Sequence, residues 1–163
     1  MSLFDPRAFL AALALLALTA CGFAPVYGPG GAGTQLQNAV VVQAPETRDA
    51  FLVTRRVEER LGRAGSAARY ALDLSVTSSE QGLAVDSQGN ITRYNLLGQA
   101  QFALRDTGTG QTVMSGTVDN FTGYSATGST VATLAAARDA QERLMTILAD
   151  QIIARLLGSA DLT

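Results

Sequence analysis

Apolar and polar residues alternate with a period of two across the middle of the chain. In residues 70–77 every second side chain is Tyr, Leu or Val, which predicts a strand with one buried face. A second alternation covers residues 94–104, and a Gly-containing turn at 106–110 joins it to a third segment, 112–124. These segments predict an antiparallel meander. Because the apolar residues of the third segment change phase, we expect a β-bulge near residues 119–120.

Two other segments place apolar residues at helical spacing. Residues 47–61 carry one apolar stripe and stop at Gly62, while the longer segment from Thr130 to Leu157 stops at Gly158. The inner stripe of the longer helix is predicted to consist of Leu134, Ala137, Gln141, Leu144, Met145, Leu148, Ile152 and Leu156. A β-branched run at residues 39–42 predicts one more strand ahead of the first helix.

The resulting order, β-α-β-β-β-α, predicts an α+β fold. We expect a two-layer sandwich, with two helices packed on one face of a roughly four-stranded, mainly antiparallel sheet. The sequence leaves open where the first strand joins that sheet.

The amino terminus has the composition of a bacterial export signal. Arg7 precedes an apolar run at residues 8–18, which is too short to span a bilayer. The sequence Leu-Thr-Ala-Cys that ends at Cys21 fits a lipobox, so residues 1–20 are predicted to be a signal peptide and Cys21 to carry fatty acyl groups such as palmitate. The glycine-rich sequence GPGGAGT predicts that residues 21–37 form a lipidated, flexible tether. Residues 38–163 would then form a single α+β domain.

The composition excludes most familiar catalytic machinery. The chain contains no His, Lys or Trp and has a single Cys. A Ser-His-Asp triad, a Schiff-base lysine and a His-ligated zinc site are therefore all excluded. We predict that the protein is not an enzyme and that it binds no cofactor or metal. Its formal net charge of −2 gives no electrostatic reason for binding nucleic acid.

Residues Cys21–Gly28, with the sequence CGFAPVYG, resemble the start of the mature LPS-assembly lipoproteins of the LptE family. The predicted order of strands and helices agrees with the same family. The resemblance implies that the protein partners the outer-membrane β-barrel LptD, plugs its lumen and assists lipopolysaccharide transport into the outer leaflet. It also implies a lipid-anchored position on the periplasmic face of the outer membrane, which Gly22, in place of an Asp, favours.

Arginine is the only basic residue type in this chain, and its planar guanidinium group suits the phosphates of lipid A. Since the family is thought to bind lipopolysaccharide directly, Arg69, Arg93 and Arg105, at or within the predicted central strands, are candidate ligands. Ordinary exposed strand charges are the alternative interpretation of the same residues. Four aromatic residues are instead predicted to belong to the core: Phe51, Phe102, Phe121 and Tyr124.

Two other functions remain open at this point. An auxiliary outer-membrane lipoprotein of an ABC-type lipid-trafficking system would share the lipobox and a small α+β domain. A structural envelope lipoprotein that binds the cell wall is a second alternative, although the chain has no repeated module. A stable complex with a β-barrel would distinguish the LptE interpretation from both.

Overall fold

The computed structural model describes residues 25–65 and 68–158, and the predicted signal peptide and lipidation site, Cys21, lie outside them. Three helices lie in the described residues: α1 (Ala32–Leu36), α2 (Arg48–Leu61) and α3 (Thr130–Gly158). They accompany four strands: β1 (Val40–Val42), β2 (Tyr70–Val85), β3 (Ile91–Asp106) and β4 (Thr112–Ser125). The short helix α1 is an addition to the predicted order.

The strands form one mixed sheet in the order β1-β2-β3-β4. β1 pairs with β2 in parallel, whereas the β2–β3 and β3–β4 hairpins are antiparallel. The turn between β2 and β3 is held by the Asp86 carboxylate, which accepts backbone hydrogen bonds from Gln88 at 2.8 Å and Asn90 at 2.9 Å. The predicted α+β class and antiparallel meander are confirmed, and the first strand lies at an edge of the sheet.

Helices α2 and α3 pack on the same face of the sheet and enclose one hydrophobic core. Their predicted stripes supply fully buried side chains, among them Val53 and Val57 of α2 and Leu144 and Leu148 of α3. Gly98 of β3 allows α3 to approach closely, because a Cβ there would lie 2.9 Å from Leu144 Cδ2 and 3.0 Å from Leu148 Cδ1. The helix therefore crosses the sheet where the strand has no side chain.

The start of α2 is fixed both by its own cap and by the neighbouring elements. Thr47 Oγ1 accepts a hydrogen bond from the Ala50 N–H at 3.1 Å, as expected of a helix N-cap. The Asp49 carboxylate accepts hydrogen bonds from Ser78 Oγ at 2.6 Å and from the side-chain amide of Gln141. Asp49 thus connects α2 to β2 and to α3.

The prediction of a flexible tether extending to residue 37 is wrong for its second half. Residues 32–36 form α1, and Leu36 is completely buried in the core. Residues 25–31, ahead of the helix, form hydrogen-bonded turns. Glycines such as those in GPGGAGT are common in flexible linkers, but here they allow the backbone to turn tightly against itself. The packed domain therefore begins before residue 38.

The bulge predicted near residues 119–120 is also wrong. Within the described hairpin, β3 and β4 pair without a register shift until Leu104, and the irregularity lies at Val113. Val118 is buried, whereas Val113 and Phe121 are exposed. The strand therefore alternates regularly at residues 119–120, and its apolar residues lie on both faces of the sheet. The apparent change of phase in the sequence came from apolar residues on the uncovered face.

The prediction that all four aromatic residues belong to the core is half correct. Phe102 and Tyr124 are buried, but Phe51 is 53% exposed and Phe121 is 63% exposed. The predicted inner stripe of α3 also begins too early, because Leu134 is 51% exposed. The first turns of α3 extend past the part of the core that α2 covers, so Val131 and Leu134 stay largely exposed.

Candidate functional site

The two ends of the sheet differ in their chemistry. At the end that we call proximal, Tyr70 lies opposite Asp106, and at the distal end Val85 lies opposite Ile91. The 16 residues of β3, at about 3.3 Å each, separate these ends by about 50 Å. Helix α1 lies at the proximal end, whereas α3 begins at the distal end, where the Ala126 N–H donates to the Thr92 carbonyl at 2.9 Å.

The face of the sheet turned away from the helices, which we call the open face, is mostly neutral and polar. Neighbouring side chains across its centre are Ser75, Gln101 and Thr117 in one rung and Thr77, Gln99 and Asp119 in the next. Leu97 and Phe121 are an apolar exception, paired across β3 and β4 and 40% and 63% exposed. They border a shallow groove of about 400 Å³. This face can form hydrogen bonds over most of its area.

The structure does not bring the three candidate arginines together. Arg93 and Arg105 lie on the open face at opposite ends of β3, and twelve residues at about 3.3 Å each place them about 40 Å apart. Arg105 forms an ion pair with Asp73, with 2.5 Å between Nη2 and Oδ2. Arg69 lies at the proximal end, with its Cζ 5.2 Å from the centre of the Tyr70 ring. One phosphate group could not contact all three.

Arg93 differs from Arg105 in having no acidic partner. It forms no ion pair with any residue of the described ranges. Its Nη2 atom lies 3.7 Å from the point where a Cβ on Gly123 would stand. The guanidinium group therefore lies over the glycine of β4, near the Asn95 side chain, and its exposure leaves it accessible to an anion.

The distal end also exposes large apolar side chains. Those on the β2–β3 hairpin and on the first turns of α3 are Leu83, Val85, Ile91, Val131 and Leu134. Arg138 of α3, like Arg93, has no ion-pair partner within the part of the chain that the structure describes. Exposed apolar surface beside uncompensated positive charge suits a ligand that has both acyl chains and anionic groups.

A cleft of about 420 Å³ opens between α3 and the sheet near the distal end. Inside it, Tyr124 Oη donates a hydrogen bond to Glu80 Oε1 at 2.7 Å, and the Tyr124 ring stacks on Tyr94 with 5.2 Å between centroids. Burial raises the pKa of Tyr124 to about 12, and the hydrogen bond to Glu80 adds to the rise. The phenol therefore remains a neutral hydrogen-bond donor at physiological pH.

Sequence reasoning selected Arg93 as a candidate ligand, which stays a prediction, but did not select the exposed apolar residues around the same end. For Phe121 the sequence did contain a signal of exposure. Phe121 has the same phase as Thr117 and Asp119 along β4, which places it on the open face. In residues 25–65 and 68–158, no group of three or more acidic, His or Cys side chains is arranged to hold a metal ion. In the same ranges, no helix combines the length and the hydropathy that crossing a bilayer requires.

Comparison with known proteins places this fold among bacterial lipoproteins. A protein assigned as a lipoprotein in Caulobacter crescentus is 26% identical, with a TM-score of 0.64, over 77% of this chain and 92% of its own. Rare lipoprotein B from Shewanella oneidensis has the same fold at 15% identity and a TM-score of 0.53, over 72% of this chain and 91% of its own. Lipoprotein B from Nitrosomonas europaea also shares it, at 11% identity and a TM-score of 0.54, over 70% and 78%.

The search of curated proteins gave no significant match. The family model for LptE, described as lipopolysaccharide-assembly, matches residues 36–156. That range runs from the buried end of α1 to the last turns of α3 and so includes the whole sheet. The resemblance seen at the amino terminus is thereby confirmed by an independent part of the sequence, and this chain belongs to the LptE family of lipopolysaccharide-assembly proteins.

Proposed function

We propose that this protein is attached by lipid at Cys21 to the periplasmic face of the outer membrane. There it partners a large β-barrel of the LptD type, plugs the barrel lumen and assists the movement of lipopolysaccharide into the outer leaflet. The observation that carries the proposal is the family match across residues 36–156. The task needs binding and positioning rather than catalysis, which is consistent with a chain without His or Lys.

The shape and polarity of the domain are consistent with residence in a barrel. The mostly neutral, polar open face suits the polar, water-filled interior that outer-membrane barrels have. The sheet, about 50 Å long from its proximal to its distal end, slightly exceeds a bilayer of about 40–45 Å including headgroups. A domain standing upright in a lumen could therefore reach both leaflets.

Arg93 is the strongest of the candidate lipopolysaccharide ligands. Its guanidinium group has no acidic partner within the described ranges, and exposed apolar residues of the β2–β3 hairpin lie at the same end of the sheet. Arg105 must first give up its ion pair with Asp73, and Arg69 is beside the Tyr70 ring. Phosphates and acyl chains of one lipid A molecule would both find partners at the distal end.

The first experiment tests the partner. The full-length chain with a C-terminal tag is expressed in a Gram-negative host, outer membranes are extracted in mild detergent, and the co-purifying proteins are identified. We expect a large β-barrel in a stoichiometric amount. A Cys21→Ser variant serves as the control for anchoring, and the intact mass of the wild type reports its acyl groups. Recovery of an inner-membrane ABC system in place of a barrel would overturn the proposal.

The second experiment tests the ligand with purified lipopolysaccharide. Arg93→Ala is expected to weaken binding by about tenfold, which corresponds to the loss of one charge-assisted hydrogen bond of about 1.5 kcal/mol. Arg105→Ala, on the same strand and the same face, is the matched control and should have a smaller effect. Arg69→Ala completes the set. Unchanged affinity in all three variants would remove these arginines as ligands.

A further inference from the structure

The segment ahead of α1 is closed by its own hydrogen bonds. We call residues 25–36 the N-terminal clasp. Within it, the Gly28 N–H donates to the Pro25 carbonyl at 2.9 Å, and the Gly33 N–H donates to the Val26 carbonyl at 3.0 Å. The Thr34 hydroxyl donates back to the Gly28 carbonyl at 3.1 Å. These bonds join the start of the clasp to the helix that follows it.

Two glycines make the clasp as tight as it is. A Cβ on Gly31 would lie 2.3 Å from the Val26 carbonyl oxygen, which no side chain tolerates. A Cβ on Gly33 would lie 2.7 Å from two atoms of the Tyr27 ring. Because both positions have glycine, the backbone of α1 packs directly against Val26 and Tyr27. The clasp therefore has one defined shape, in contrast to a flexible linker.

The clasp is also fixed to the rest of the domain at the proximal end. Leu36 is completely buried, and the Tyr70 N–H donates to the Ala39 carbonyl at 3.0 Å just after it. In spite of this packing, the side chains of Val26 and Tyr27 remain 37% and 60% exposed. The clasp thus presents an aliphatic and an aromatic side chain to the outside from a fixed support.

The length of chain between this support and the lipid anchor is short. Only residues 22–24 separate Cys21 from Pro25, and four residue steps of up to about 3.5 Å give a reach of at most about 14 Å. If Cys21 carries acyl chains in the bilayer, as proposed above, then Val26 and Tyr27 cannot leave the neighbourhood of the membrane surface. Tyrosine is enriched at that boundary because its ring is apolar and its hydroxyl is polar.

We propose that Val26 and Tyr27 of the clasp form a contact with the headgroup region of the membrane that carries the lipid anchor. The contact gives the proximal end a second attachment point besides the acylated Cys21. The domain therefore has a defined orientation relative to the membrane. Arg60, in the last turn of α2, adds a positive charge without an ion-pair partner in the described residues at this end of the domain. That charge complements anionic headgroups. The inference rests on the proposed lipidation at Cys21.

The test uses tryptophan fluorescence, because the natural chain contains no Trp. The lipidated mature protein, which begins at Cys21, is prepared as Tyr27→Trp and, as a matched control, as Phe121→Trp, since the two aromatic side chains are 60% and 63% exposed. Each is reconstituted in vesicles of phosphatidylethanolamine and phosphatidylglycerol, with and without brominated acyl chains. We expect a blue-shifted emission and several-fold stronger bromine quenching for Tyr27→Trp than for Phe121→Trp.

The outcomes separate the inference from the proposal on which it rests. If mass spectrometry finds no acyl groups on Cys21 and the protein does not bind vesicles, the proposed anchoring fails. If the protein is acylated and bound but Tyr27→Trp emits and is quenched like Phe121→Trp, the membrane contact of the clasp is overturned. The Cys21→Ser form of Tyr27→Trp, which should stay in solution, gives the emission of the water-exposed side chain.

Discussion

The close approach of α3 to β3 depends on the missing side chain of Gly98, and Gly98→Val is the direct perturbation. A Cβ at this position lies only 2.9 Å from Leu144 Cδ2 and 3.0 Å from Leu148 Cδ1. Carbon atoms in contact prefer about 3.5–4.0 Å, so each contact is short by about 0.5–1 Å, and valine adds two further methyl groups. The helix or the two leucine side chains must move away from the sheet.

The expected magnitude follows from this crowding. Overpacking of a filled core costs typically about 1–3 kcal/mol, and we expect Gly98→Val to reach about 2–3 kcal/mol because three carbon atoms are added. For a domain of this size, each kcal/mol lowers the melting temperature by about 3–5 °C. Part of the steric overlap is relieved because the methyl groups of Leu144 and Leu148 can rotate away from position 98. The β-branched residue also gains some strand propensity.

The assay is urea unfolding of the purified domain followed by circular dichroism. Gln99→Val is the matched control, since Gln99 is the next residue of β3 and lies exposed on the open face. Its free energy of unfolding should change by no more than about 0.5 kcal/mol. A combined Gly98→Val and Leu144→Ala variant should be more stable than the sum of the single effects predicts, by about 1 kcal/mol. Equal effects of Gly98→Val and Gln99→Val would refute the close approach.

Three further predictions concern the clasp and two titratable groups. Leu36→Ala should lower the free energy of unfolding by about 2–5 kcal/mol, because a buried leucine is truncated. A change of no more than about 0.5 kcal/mol, as at an exposed site, would instead support a flexible tether. The pKa of Tyr124 is raised to about 12, so the free energy of unfolding of the wild type should fall as the pH rises from about 10 through that value. Urea titrations should show a smaller alkaline loss in Tyr124→Phe. Backbone hydrogen bonds from Thr109 lower the pKa of Asp106, so its contribution is complete above the unfolded value of about 3.9 and is lost as pH falls through the depressed folded value. Asp106→Asn should flatten that acidic slope, and an unchanged slope would contradict it.

The sequence predicted the elements whose environment is uniform along their length. In β3, every residue of one phase from Leu96 to Leu104 is buried, so the alternation and the structure agree. The same holds for α2, where Val53, Val57 and Leu61 form a continuous buried stripe. For these elements one periodic pattern corresponds to one packing partner, and local information is sufficient.

The predictions were wrong where an element changes its surroundings. The first turns of α3 extend beyond the core, so Leu134 is exposed although it continues the helical stripe. Phe121 faces the open side, which a pattern of apolar residues cannot distinguish from the covered side. Long-range geometry of this kind is not encoded in neighbouring residues.

The candidate site shows the same division. Arginine chemistry selected both Arg93 and Arg105 as candidate ligands, which they remain as predictions, but the ion pair of Arg105 with Asp73 is a contact between strands. That contact could be read only once the β2–β3 register was known. The glycines of the clasp were interpreted as a flexible tether. Composition alone does not distinguish glycines that make a linker flexible from glycines that allow two backbone segments to pack closely.

The position of β4 at the edge of the sheet has a consequence for how the protein must be handled by the cell. In the described part of the chain β4 pairs only with β3, so the other edge of its 14 residues is left without a strand partner. The strand contains no proline and only one charged residue, Asp119, and its irregularity is confined to Val113. Such edges recruit further strands from identical molecules. Overproduction of the domain should therefore favour aggregation that starts at the free edge of β4.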